Sequence, residues 1–467
     1  MESPFEHNET DLKALVDRFE AMLRANGSYF FDVEDFEDII DYYIDNQDTV
    51  RSKKAIDLAE AQHPGSTVFL IRKARYFILA NKAQKAINLL EEVEKIDPTN
   101  GDIYLLKGSV YSKLKKYDEA IREYNKAILY ASDLEEVYNS IAYEYENAGD
   151  YAKAIEYLKK ILEINPENEP AIFELSFCHE IINELEKSIE YLTEFLDKHP
   201  YSKVGWFNLG ITYNNLELFE KAIEAYEFAI AIDETFSSAY FNLGNAYANL
   251  GEYRLSIKNY KETFKYEEPQ AITYYIGECY EKLESFEQAL DHYKLAIGID
   301  PEMADAWMGS GVCYDELGDQ KAAVHHMEKA LDYEDDNAEF WYIYGDLKHK
   351  VFDLENACKA YEKVSALDPL HAEIWLDLSD IYIETGEITK AHDVLEEGIF
   401  QQPKNASLLY RLAGLLMKEG KQKQGMAVLA EGLALDYKKH RELFEFSPEL
   451  EQNHDIQELI QLHFKKK

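Results

Sequence analysis

The stretch WFNLGITYNNLELFEKAIEAYEFAIAID at residues 206–233 returns in altered form as WMGSGVCYDELGDQKAAVHHMEKALDYE at 307–334. Each copy reads as two helices joined by a short turn, with apolar residues recurring every three or four positions. Followed outward in the same register, units start at 33, 67, 101, 135, 169, 203, 237, 270, 304, 338, 372 and 406. The step is 34 residues, except for one of 33 after residue 237. One such helix pair cannot bury its apolar face alone, and stacking of neighbours buries it. The period therefore predicts an all-α array of antiparallel helix pairs, so that 467 residues form one repeated unit rather than three compact domains.

The unit carries small residues where helices must cross closely. Its eighth position holds Ala74, Gly108, Ala142, Ser176, Gly210, Gly244, Gly277, Gly311, Gly345, Ser379 and Ala413, with Ile40 departing. Its twentieth is small throughout, from Ser52 and Ala86 to Gly425. Trp206, Trp307, Trp341 and Trp375 all stand at the fourth position, and the eleventh is mostly aromatic. Pro64, Pro98, Pro166, Pro200, Pro301, Pro369 and Pro403 occupy position 32, where proline ends the second helix. This Trp-Gly-Tyr-Ala-Pro framework resembles the tetratricopeptide repeat (TPR) family over residues 33–439. The resemblance implies a right-handed superhelical solenoid whose first helices line a concave groove that binds peptides or protein segments. Residues 1–32 and 440–467 read as N- and C-terminal capping helices, with Thr10 as the N-cap of the first.

Composition excludes several classes of function. Lys and Arg number 49 against 90 Asp and Glu, a formal net charge of −41. Nucleic acid and anionic membranes need cationic surfaces, so neither is an expected partner. Residues 1–66 carry −10, residues 67–132 carry +4 and residues 133–467 carry −35. No run of about 18 apolar residues occurs, so no transmembrane helix is expected. The first residues, MESPFEHNETDLK, show neither a basic nor an apolar leader region, and a cytoplasmic location is expected. Cys178, Cys279, Cys313 and Cys358 form no CxxC pair and read as packing residues. His325 and His326 lack a third ligand, and no nucleotide, hydrolase or zinc-protease motif is present. The chain reads as a non-enzyme with no cofactor and no metal.

Groove-facing positions follow from the resemblance. Phe173, Phe207, Phe241, Tyr274 and Tyr342 form a candidate hydrophobic track, the alternative being packing between first helices. Glu278, Asp315, Asp346 and Asp380 make its C-terminal half acidic, the alternative being a merely solvated face. Asn208, Asn242 and Asn245 form a short row of amides suited to an extended peptide backbone. Arg72, Arg75 and Lys113 form a basic band, suited to an acidic segment or to a second copy. Lys73 and Lys107 replace the usual Leu at position 7 and are expected to snorkel.

These readings converge on a non-catalytic protein–protein interaction scaffold. Its partners would be extended protein segments, basic and aromatic or aliphatic for the C-terminal half. A structural, self-assembling homo-oligomer is the alternative, and a non-catalytic subunit of an enzyme complex comes third.

Overall fold

A computed structural model describes residues 4–25, 27, 29–266 and 272–464, with side chains from residue 12 onward. Among them the chain is helical without a strand. The expected unit start at 270 and the Thr10 side chain lie outside this description. The first helix, Pro4–Arg24, starts before Thr10, so a cap there is overturned.

The chain divides into two units, Met1–Asn242 and Leu243–Lys467. In the first, Val33–Asp45 pairs with Thr49–Gln62, Thr67–Leu79 with Ala83–Ile96, and Gly101–Lys113 with Tyr117–Ala127. Leu134–Asn147 then pairs with Tyr151–Ile164, Glu169–Ile181 with Leu185–Lys198, and Lys203–Asn215 with Phe219–Ile232. Pro4–Arg24 covers the exposed end of this run, burying Val16, Phe19 and Met22 against Phe36, Ile40 and Tyr43.

In the second unit, Ile272–Lys282 pairs with Phe286–Ile299, Ala304–Glu316 with Gln320–Tyr333, and Ala338–Lys350 with Leu354–Leu367. Ile374–Glu384 pairs with Ile388–Gln401, and Ala406–Lys418 with Gln422–Leu435. Short helices Glu442–Phe446 and His454–Phe464 close this unit, where Leu443, Leu450, Ile456 and Ile460 cover Tyr410, Met417 and Leu433. An uncovered last pair would leave that apolar face in water.

Two recurrent details explain the repeated residues. Each Trp of the first helix donates its indole N–H back to the carbonyl six residues earlier. Trp206 reaches Pro200 at 2.9 Å, Trp307 reaches Pro301 at 2.9 Å, Trp341 reaches Asp335 at 2.8 Å and Trp375 reaches Pro369 at 2.9 Å. The ring thus ties the turn between pairs to the helix that follows. Within pairs, the chain turns through the left-handed region at one recurring place, from Asn81 (φ 55°) through Gly149 (φ 77°) to Gly420 (φ 79°).

Position 7 corrects an expectation. Lys107 does not snorkel: it is 5% exposed and holds the Glu94 carboxylate, while Lys73 holds Glu60 at 2.8 Å. Burial pushes the Glu94 carboxyl up, but the Lys107 ammonium outweighs it and the pKa falls below its ordinary value. Cys178, Cys279 and Cys313 are buried, and burial raises each thiol pKa. They pack as small hydrophobes.

His179 stands at the eleventh position, where most units carry an aromatic ring. It is buried and neither ring nitrogen has a partner. Burial lowers its pKa from 6.5 to about 4, helped by Lys159. The unfolded chain therefore binds an extra proton between those values, and stability falls as pH drops from about 6.5 towards 4. His179→Tyr is expected to raise the urea midpoint more at pH 5 than at pH 7. An equal shift at both would show that the imidazole is not the acid-sensitive group.

Candidate partner-binding groove

The acidic and aromatic residues of the second unit meet at two places. In the first, Tyr274 and Glu278 lie one turn apart on Ile272–Lys282, and the phenol donates to Glu278 Oε1 at 2.9 Å. Tyr293, from the paired helix, donates to Glu281 Oε2 at 2.7 Å. In the second, Tyr342 donates to Asp377 Oδ2 at 2.9 Å and lies 3.3 Å from Glu373 Oε2. Tyr361 donates to Asp346. The His371 ring sits 4.3 Å from that of Tyr342. These carboxylates are oriented by phenol hydroxyls.

Their charge is costly. Burial raises the Glu278 pKa, and Glu281 and Asp305 raise it further against the pull of the Tyr274 hydrogen bond. Asp305 is raised by burial and by Glu334 and Glu339. Asp377 is raised by burial, then by Asp346 and Glu373, with Tyr342 and His371 opposing. A carboxyl with a raised folded pKa binds protons more readily folded than unfolded. Its favourable share of stability is complete below the unfolded pKa and is lost as pH rises through the folded one. At neutral pH these groups strain the fold, and a bound cation would relieve that strain.

Other predicted acids are already matched. Asp315 accepts from Lys350 at 2.5 Å, and Asp380 is paired with Arg411. The groove face continues from Asp380 into a cleft of ≈ 1120 Å³, with Glu373, Leu376, Arg411, Lys439 and Phe446 among its lining. Arg411 also lies 4.4 Å over the Phe446 ring, so the C-terminal helices close this cleft.

In the first unit several expected groove residues are withdrawn from the surface. Phe207 is 5% exposed, its ring 4.9 Å from Phe236 and 5.8 Å from Tyr226, so it belongs to the core. Asn208 is 2% exposed and donates to the Val204 carbonyl of its own helix. Asn242 does the same to Ser238. In the second unit Asn245 accepts the Tyr260 hydroxyl at 2.6 Å. Asn208 is thus buried, whereas the half-buried Asn242 and Asn245 each spend one hydrogen bond within the chain. Phe173 remains exposed, and Phe241, Tyr274 and Tyr342 are half-buried.

The basic band is corrected too. Arg72 donates to Asp41 at 2.7 Å and Arg75 grips the other oxygen of the same carboxylate at 2.7 Å, with Glu37 and Asp45 alongside. The acidic segment that these guanidiniums recognise is the chain's own helix Val33–Asp45. Lys113 alone of the three is exposed. Asp377 is not among the expected site residues, although it shares position 6 of the repeat with Arg72, Asn208 and Asn242.

Profiles described as "Tetratricopeptide repeat" match residues 77–142, 282–347 and 350–408, residues 135–168, and residues 241–304. One described as "TPR repeat" matches 210–251. Together they cover more than half of the chain. The chain belongs to the tetratricopeptide repeat family.

Over 91 residues this TPR protein is 32% identical to the small glutamine-rich tetratricopeptide repeat-containing protein 2 of Saccharomyces cerevisiae, covering 19% of this chain and 26% of that one. Over 86 residues it is 35% identical to the Hsp70-Hsp90 organizing protein of Triticum aestivum, covering 18% of this chain and 15% of that one. The chain thus spans about a quarter or less of these relatives' lengths.

Among solved structures, the APC/C hetero-tetramer Cut9-Hcn1 aligns over 85% of this chain and 91% of that one, at 17% identity and a TM-score of 0.40. The C-terminal part of a TPR repeat-containing protein from Cytophaga hutchinsonii aligns over 51% and 98%, at 18% identity and a TM-score of 0.45. The architecture of this TPR protein is that of paired antiparallel helices stacked in succession. Among the described residues no helix is long and apolar enough to cross a membrane, and no group of three or more His, Cys, Asp and Glu is placed to hold a metal ion.

Proposed function

We propose that this TPR protein is a non-catalytic cytosolic scaffold that captures extended protein segments, and that residues 243–467 take a basic one with aromatic or aliphatic side chains. The array is read as twelve helix pairs over 33–439 between capping segments 1–32 and 440–467. The observation that carries the binding reading is carboxylate crowding at two separate places, around Glu278 and Asp305 and around Asp377. Each is pushed above its ordinary pKa by burial and by neighbouring carboxylates. A lysine or arginine at either place adds to the attraction that Lys282 and Arg411 supply only in part. Tyr274 at the first place and Tyr342 at the second each offer a ring face to a cation there and apolar area to its neighbours.

Charge reversal tests this directly. A fluorescein-labelled peptide of alternating Lys and Phe is the probe, titrated at low and at physiological salt. Glu278→Lys/Asp346→Lys is expected to weaken binding at least tenfold, about 1.4 kcal/mol, and to flatten its salt dependence. Unchanged affinity and unchanged salt slope would refute the assignment.

A further inference from the structure

The first unit carries an exposed apolar row of its own, which begins at Phe173. On Glu169–Ile181 the side chains of Phe173, Phe177 and Ile181 stand at i, i+4 and i+8, which places them in one row along the helix. They are 39%, 50% and 49% exposed. Large apolar side chains scattered singly need no explanation, but a contiguous row does. Tyr143, on the neighbouring first helix Leu134–Asn147, is exposed as well. The two helices approach each other at one point, where Cys178 Sγ lies 3.7 Å from Glu146 Oε1.

At Phe173 the row rests on a firm floor. Phe173 meets the buried Phe207 ring edge-on at 6.1 Å, and Phe207 rests on Phe236. A partner would find the Phe173 ring already ordered, which lowers the entropy cost of docking.

Charge identifies the occupant. Neither helix carries a Lys or Arg, whereas Glu135, Glu136, Glu144, Glu146, Glu169, Glu174 and Glu180 lie on them. The one imidazole, His179, is buried. Burial raises the Glu146 pKa and Glu174 raises it further, so two carboxylates face each other beside the apolar row. An acidic partner would be repelled, and a purely polar cation would leave the aromatic row in water.

We infer that the face formed by Tyr143, Phe173, Phe177 and Ile181 docks an amphipathic segment with large apolar anchors and at least one Lys or Arg set between Glu146 and Glu174. This deepens the scaffold reading, since it gives the chain a second binding face. It does not depend on the acidic groove of residues 243–467.

Three labelled 16-residue peptides test it against the full chain. One carries leucines at i, i+4 and i+8 among lysines, the second keeps the leucines among glutamates, and the third keeps the lysines with serines for leucines. The Leu/Lys peptide is expected to bind at least tenfold more tightly than either other. Phe177→Asp and the milder Phe177→Ser should each remove at least tenfold of that affinity, with helicity by circular dichroism unchanged. Both are measured again in the Glu278→Lys/Asp346→Lys background. If the acidic groove is wrong, that background changes nothing while the Phe177 effect persists; if this face is wrong, the Phe177 variants bind as the parent does. Equal binding of the Ser/Lys or Leu/Glu peptide would overturn the proposal. So would concentration-dependent self-association of the full chain abolished by Phe177→Asp, which would make a second copy the occupant.

Discussion

Gly210→Ala is expected to lower the unfolding free energy by about 1–3 kcal/mol in urea denaturation. The sign is informative, because Gly to Ala in a helix interior otherwise stabilises by about 1 kcal/mol. Steric conflict has to exceed that gain. A Cβ on Gly210 would lie 2.5 Å from Cε1 of Tyr226, well inside contact distance. The ring is fully buried and packs on Phe207, so it has no free space to enter.

The same fit recurs along the chain. Gly108, Gly244, Gly277 and Gly345 face Tyr124, Tyr260, Tyr293 and Tyr361 in this way, and Gly311 faces Met327. Where the first helix instead carries Ala74, Ala142, Ser176, Ser379 or Ala413, the residue sixteen positions on is Leu90, Leu158, Leu192, Leu395 or Leu429. Volume is thus shared between the two positions. Tyr226→Leu alone should cost about 2 kcal/mol through the space it leaves. Gly210→Ala/Tyr226→Leu copies the Ala–Leu fit and should be more stable than the two losses predict, with a coupling of about 1–2 kcal/mol. Simple additivity would show that the ring yields without strain.

Glu94→Gln is expected to cost about 3 kcal/mol, the lower end for breaking a buried ion pair, because Glu94 retains some contact with water. It leaves the Lys107 ammonium buried without a counter-charge. The double variant Glu94→Ile/Lys107→Leu should behave oppositely, between neutral and about 3 kcal/mol stabilised, since it replaces the pair by apolar residues. Such a pair stands at the equivalent places elsewhere, as in Ile128 with Ile141 and Leu162 with Leu175. Both are read from urea midpoints with unchanged slope. A double variant as unstable as Glu94→Gln would mean that the ion pair contributes more than its desolvation costs.

What spacing reveals and what it conceals in this chain have one physical cause. Trp206, Gly210 and Tyr226 repeat in register because each meets the same neighbours in successive pairs, so the period alone reveals a packed array of helices. Lys107 was misjudged because its counter-ion, Glu94, lies in the preceding pair. The two positions read separately show a misplaced lysine and a misplaced glutamate; read together they show a swapped core contact. Asn208 looked available because amides suit peptides, yet a carbonyl of its own helix one turn back was within reach.

Spacing and composition alone establish the TPR family and the all-α paired-helix fold, together with the acidic character of residues 133–467. Those are properties of spacing and composition, and each unit carries them locally. Only the tertiary structure decided which polar groups remain for a partner. Arg75 is matched by Asp41 and Asp380 by Arg411, about one repeat away in each case. Glu278 and Asp377 meet further carboxylates instead. Position within the repeat is the same kind of information for all four, whereas the charge opposite each is set by which helix packs against it.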